Sequence, residues 1–215
     1  MNKNRTELVL VMDNSGSMTG IKNDVEQGLK TVLKEQADQP GECFVSYYQF
    51  SGTTNCVFNG ADIKNVKDIT INPLGSTALF DAIGLAINET GARLKAMKEK
   101  DRPGLVVFIV GTDGEENSSK EFSGERIKKM IQHQESKYNW QFIYLGANQD
   151  AWQVGQHYGF SSGKSMTYTT NSNAIHDSYG STSKMISDLR GAVASAHSNL
   201  SSFTFSDEDR KNSAK

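Results

Sequence analysis

Apolar positions along the chain follow two periods. Glu7 to Met12, with Leu8-Val9-Leu10-Val11 at its centre, reads as a first buried strand. Ile21, Val25, Leu29, Val32 and Leu33 then share one helix face. Cys43–Phe50 and Asn55–Asn59 read as two strands joined through Ser51-Gly52-Thr53-Thr54, an antiparallel hairpin. After the short Ile69-Thr70-Ile71 and the loop Pro73-Leu74-Gly75-Ser76 comes a helix burying Leu79, Ile83, Ala86, Ile87, Leu94 and Met97.

Leu105 to Val110 is apolar at every position, the pattern of a central parallel strand covered on both faces. Phe122–Lys137 is helical, Gln141–Leu145 a strand, and Asp150–Tyr158 a helix closed by Gly159. Lys164–Thr169 makes an edge strand, and Ala174–Ala196 a long amphipathic helix. Alternating strands and helices predict an α/β fold: a doubly wound, mostly parallel central sheet with helices on both faces. The hairpin adds an antiparallel edge strand. Residues 1–200 form one domain, and the polar stretch 201–215 reads as a loose tail.

Composition narrows the function classes. The chain has 215 residues, 36% hydrophobic and 22% charged, with a formal net charge of -2. No Lys/Arg run marks a nucleic-acid surface, and no segment approaches the roughly 20 apolar residues that span a bilayer. The first apolar run ends too early, at Asp13, for a signal peptide, so a cytoplasmic protein is expected. Cys43 and Cys56 lie on neighbouring predicted strands; a bridge between them is geometrically open, and free thiols are what a cytoplasm favours. His133, His157, His176 and His197 have no metal-binding spacing.

The informative chemistry sits at strand ends. Asp13-Asn14-Ser15-Gly16-Ser17 directly follows the first strand, Gly75-Ser76-Thr77 precedes a helix, and Thr112-Asp113-Gly114 follows the all-apolar strand. In an open parallel sheet such loops converge at the carboxyl ends of the strands. Asp13, Asp113, Ser15, Ser17 and Thr77 would then bring two carboxylates and three hydroxyls together. That set suits a hard cation such as Mg²⁺, with Mn²⁺ or Ca²⁺ as alternatives, and the lack of Cys and His argues against softer metals. Gly16 and Gly114 are expected to provide tight turns. Each piece also has an ordinary reading: Ser15, Ser17 or Thr77 as helix caps, Asp113 as a turn residue, Glu115 and Glu116 as a solvated turn. Asp81 is either a supporting residue of the metal site or a capping or exposed one.

The pattern Asp-x-Ser-x-Ser, a distant Thr and a distant Asp after a buried strand resembles the metal-ion-dependent adhesion site of von Willebrand factor A domains. Thr77-Ala78-Leu79-Phe80-Asp81-Ala82 and Thr112-Asp113-Gly114 also resemble family sequence around that site. Gly146-Ala147-Asn148-Gln149-Asp150-Ala151 is similar to a segment of small bacterial and bacteriophage members. The resemblance covers nearly the whole chain and implies a non-enzymatic, metal-dependent binding module. In such a module an Asp or Glu of a partner protein completes the shell of the ion. Asn14, Met18, Asn117 and Ser118 would be rim contacts, and neither nucleic acid nor membrane is an expected partner.

Two other classes stay open on the residues themselves. Asp13 at a strand end invites comparison with phosphatases that use an aspartate nucleophile, and Mg²⁺ at a helix start serves phosphoryl transfer. Those phosphatases usually carry a second Asp two residues on, where this chain has Ser15, and no Gly-rich loop with a Lys is present. A metal-independent assembly protein is the third reading.

Overall fold

The computed structural model describes residues 1–215 apart from 67, 68, 149 and 198 and the side chain of 152. Among the described residues six strands form one sheet: β1 (Asn2–Asp13), β2 (Glu42–Phe50), β3 (Thr54–Asp62), β4 (Pro103–Thr112), β5 (Gln141–Ala147) and β6 (Ser165–Tyr168). Their spatial order is β3-β2-β1-β4-β5-β6. All neighbours pair in parallel except β2 and β3, which form the expected antiparallel hairpin at one edge.

The connections are helical: α1 (Lys22–Ala37), α2 (Leu79–Ala96), α3 (Gly124–Tyr138), α4 (Ala151–Tyr158) and α5 (Ser172–Ala194). Alternation along each strand sends side chains to opposite faces. Leu8, Leu10 and Met12 pack with α1 and α5, while Val9 and Val11 pack with α2, α3 and α4. β1 is buried from Thr6 to Asp13, as befits a central strand covered on both sides. No helix among the described residues is long and apolar enough to cross a membrane.

One packing contact sets how closely α5 approaches the sheet. The Tyr179 ring lies where a Cβ on Gly28 would stand only 2.6 Å away, and its hydroxyl would stand 3.3 Å from a Cβ on Gly111. The ring therefore occupies space that only glycines leave free, between α1 and β4.

Two stretches carry order that the sequence pattern does not show. Ile69 and Ile71 are buried but lie outside regular structure, held in part by the Ile71 N–H donating to Glu26 Oε1 at 2.7 Å. The stretch beyond 200 is docked rather than loose. It carries a further helix, α6 (Asp207–Ser213), opened by a reciprocal cap between Ser206 and Asp209. Phe205 and Ser213 are buried, Arg210 donates to the carbonyls of Ser165 and Ser162, and the Thr169 N–H donates to the Ser213 carbonyl. A low density of apolar residues concealed a segment held chiefly by hydrogen bonds. Cys43 and Cys56 are free thiols facing opposite sides of the sheet.

Candidate metal centre

β1 and β4 run side by side in parallel with Met12 opposite Gly111, so their next residues, Asp13 and Thr112, emerge together. Asp13 is fully buried. Its Oδ1 accepts from the Ser15 N–H at 2.7 Å, and its Oδ2 accepts from the Thr112 hydroxyl at 2.6 Å. The first bond bends the loop back over the strand end; the second fixes the carboxylate from the neighbouring strand.

A line of hydroxyls continues from there. Ser15 Oγ lies 3.0 Å from Ser17 Oγ, and Ser17 Oγ donates to Asp113 Oδ1 at 2.6 Å. Thr77 is buried, and its Oγ1 lies 3.4 Å from where a Cβ on Gly114 would be, with Ser17 Oγ at 3.7 Å from the same point. The three loops thus bring Asp13, Ser15, Ser17, Thr77 and Asp113 to one place, as the spacing predicted.

Backbone bonds lock the loops to one another. Asn14 N–H donates to the Phe50 carbonyl at 2.6 Å, Leu74 N–H to the Asn14 carbonyl at 2.8 Å, and Gly16 N–H to the Gly75 carbonyl at 3.1 Å. Thr77 is held from both sides: its N–H donates to Asn117 Oδ1 at 2.9 Å, and its carbonyl accepts from the Asn117 N–H at 3.0 Å. The turn that needs glycine is at Gly75, with φ 83°. Gly16 and Gly114, expected to serve as turns, have no left-handed φ. Gly114 instead leaves space beside the Thr77 and Ser17 hydroxyls.

The neighbouring acids have structural roles. Glu116 is no solvated turn: its Oε2 accepts from the Phe80 N–H at 3.0 Å and its Oε1 from the N–H groups of Ser118 and Ser119. It thereby satisfies a free amide in the first turn of α2, whose capping position is Ala78. Thr77 is therefore one residue short of the cap that a simple reading gave it. Asp81 accepts from the N–H groups of Lys120, Glu121 and Phe122 and so clamps the loop between β4 and α3. Met18, expected at the rim, is in the core. Thr112 escaped notice as a site residue; aligning β1 with β4 as adjacent parallel strands was the signal that could have found it.

Electrostatically the centre is acidic and uncompensated. Burial pushes the Asp13 carboxyl above its ordinary value, against the hydrogen bonds from Thr112 and Ser15, and the nearby Asp113 charge adds to the rise. Burial likewise raises Asp113, against its bond from Ser17. Neither has a Lys or Arg partner among the described residues. No group of three or more His, Cys, Asp or Glu among the described residues is placed for a metal, so any ion here would rely on hydroxyls beside two carboxylates. That donor set fits a hard divalent cation.

A model of the von Willebrand factor type A domain matches residues 7–181. The chain belongs to that family. Three solved structures illustrate what the chain is similar to in fold. Proximal thread matrix protein 1 from the mussel byssus superposes with a TM-score of 0.57 at 17% identity, covering 88% of this chain and 46% of that one. The ArnB paralog VWA2 from Sulfolobus acidocaldarius gives 0.52 at 19% identity, covering 93% and 46%. A further structure of the mussel protein, with a zinc-occupied MIDAS motif, gives 0.54 at 16% identity, covering 88% and 46%. The chain spans about half the length of these proteins. No curated protein matches it in sequence. In this von Willebrand factor type A domain the sheet order and the single antiparallel edge strand agree with the family's Rossmann-like fold. The segment 146–151, which resembles family sequence by the reading above, includes Gln149, which lies outside the described residues.

Proposed function

We propose that this domain is a divalent-metal-dependent protein-binding module. Asp13, Ser15, Ser17, Thr77 and Asp113 would hold the ion, with Mg²⁺ as the first choice and Mn²⁺ or Ca²⁺ as substitutes. The observation that carries the reading is the pair of carboxylates, Asp13 and Asp113, lodged among hydroxyls with no Lys or Arg paired to them among the described residues. Burying Asp13 and half-burying Asp113 without a counter-charge is costly, and a bound cation would offset that cost. The zinc-occupied motif of the mussel protein supports the same reading by analogy.

When bound, the ion supplies a coordination position for an anionic oxygen from a partner's Asp or Glu. The chain's own residues do the rest. Thr112 and the Ser15 amide hold Asp13 in one rotamer, Ser17 steadies Asp113, and Asn117 fixes the backbone of Thr77. Such preorganisation lowers the ordering cost of binding. The groups bonded to the carboxylates are hydroxyls and an amide, which orient them but do not ionise near neutral pH and so offer no general acid or base; we therefore assign binding rather than catalysis.

The test is capture of partners by the immobilised domain in millimolar Mg²⁺ and in EDTA, read by mass spectrometry, with an Asp13→Asn control. Proteins retained only with Mg²⁺ and only by the unmutated domain would support the reading. An identical set in both conditions would replace it with a metal-independent interface.

A further inference from the structure

At the other end of β4 the molecule carries a second concave feature. A cleft of about 490 Å³ opens between α2 and α3 over the start of the strand. Strand rise places it roughly 30 Å from the metal centre, nine residues away along β4. Its volume lies within the roughly 300–1,000 Å³ typical of small-ligand sites.

The lining has two chemical parts. Val106, Leu94 and the largely buried Trp140 form an apolar base, and Tyr138 stands beside them half exposed. Lys95, Arg102 and His133 stand in the wall together with Met1 and Gln134, and no carboxylate is among the lining residues. Arg102 is pinned from two sides, its Nε donating to the Met97 carbonyl at 3.1 Å and its Nη2 to the Lys95 carbonyl at 3.0 Å. A fixed guanidinium beside aromatic rings is suited to a planar anion. Trp140 is already braced from behind by stacking on Phe108, at 5.5 Å between ring centroids. None of this serves the metal centre.

We infer that this cleft is a binding site for a small aromatic anion, its ring against Trp140 and Tyr138 and its acid group among Lys95, Arg102 and His133. The apolar base supplies affinity through burial, and the cationic rim selects for charge. One-sided charge decides between this occupant and a neutral hydrophobic molecule, since Lys95, Arg102 and His133 line the cleft with no carboxylate among its lining residues to balance them.

Fluorescence titration with anilinonaphthalene sulfonate and its uncharged parent, phenylnaphthylamine, tests the inference. The sulfonate should bind one to one, about tenfold more tightly than the parent, and weaken in high salt. The double variant Lys95→Gln, His133→Gln should lose that preference and keep the affinity for the parent. A Cβ on Gly91 would meet only Trp140 Cη2, at 3.9 Å, within 4 Å. Gly91→Leu should therefore fill the cleft without a backbone clash and abolish binding of both dyes, while Gly91→Ala should bind as the unmutated protein does. Equal affinity for the two dyes, or no binding of either, would overturn the inference. Sulfonate binding that survives Gly91→Leu would overturn it as well. Should Gly91→Leu fail to fold, the surface pair Lys95 and His133 decides alone.

Discussion

Ser17 Oγ donates a 2.6 Å hydrogen bond to Asp113 Oδ1 across 96 residues of sequence, joining the loop after β1 to the loop after β4. That bond holds one carboxylate beside the hydroxyl that would share its ion. Both carboxyls stand above their ordinary pKa through burial, so a cation that relieves this cost favours the folded state.

Mg²⁺ or Mn²⁺ should accordingly raise the melting temperature, and EDTA should reverse the rise. At a hundredfold excess over Kd the gain is about 2.7 kcal/mol, and a domain of this size shifts by about 2–4 °C per kcal/mol. Mn²⁺ should also broaden amide NMR signals around Asp13 and Asp113. Broadening centred elsewhere would move the ion from this site.

Removing the charge of Asp13 should separate metal binding from folding. Asp13→Asn keeps an oxygen for the Ser15 N–H, and Thr112 retains contacts to Gly114 through which its hydroxyl can reorient. The variant should melt without metal at or above the unmutated temperature and gain nothing from Mg²⁺. Asp13→Ala loses both acceptors and should cost about 1–3 kcal/mol. Metal stabilisation retained by Asp13→Asn would contradict the assignment.

The sheet and the loops that converge at its carboxyl end were readable because hydrophobic burial writes a period into the chain. Leu105–Val110 could only be a covered strand, and Asp-x-Ser-x-Ser after β1 had to emerge at its carboxyl end. What stayed hidden was polar and local. Glu116 and Asp81 act through backbone amides of distant residues, and no residue pattern encodes such acceptors. The docking of α6 rests on Arg210 reaching the Ser165 and Ser162 carbonyls, equally invisible to periodicity.

Asp81 offers a test of that distinction. Asp81→Ala strips the acceptor from the amides of Lys120, Glu121 and Phe122 and should cost about 1–3 kcal/mol. Hydrogen exchange at those amides should accelerate, while Mn²⁺ affinity changes by less than about tenfold. A complete loss of Mn²⁺ binding with the exchange rates intact would instead make Asp81 part of the metal site.

The C-terminal helix should respond to acid. Burial opposes the Asp209 carboxylate, but hydrogen bonds from Ser206 and Ser181 and the charge of Lys184 outweigh it and hold its pKa below the ordinary aspartate value. A depressed pKa contributes stability that is present above the unfolded value, about 3.9, and is lost as pH falls through the folded one. The Thr169 amide, bonded to the Ser213 carbonyl, should thus lose exchange protection below about pH 4 before the central strands do. In Asp209→Asn its protection should be lower already at neutral pH. Unchanged protection in that variant would show that Asp209 does not hold the helix.

Thr77 separates ligation from helix capping. The capping position of α2 is Ala78, with no side-chain cap, and Glu116 already accepts from the Phe80 N–H. Both backbone groups of Thr77 are bonded to Asn117 and survive any side-chain change. Thr77→Val, which keeps the shape and removes only the hydroxyl, should therefore fall short of the roughly 0.5–2 kcal/mol that loss of a true cap costs. As a ligand, the hydroxyl should matter far more to the ion: Thr77→Val should weaken Mn²⁺ binding by about tenfold or more, and Thr77→Ser should largely restore it. Thr77→Asn carries its oxygen farther out and should fold yet bind Mn²⁺ poorly. Calorimetric titration of the four proteins decides the matter. Equal Mn²⁺ affinity in the unmutated, Val and Asn proteins would remove Thr77 from the site and leave the ion to the loops of Asp13 and Asp113.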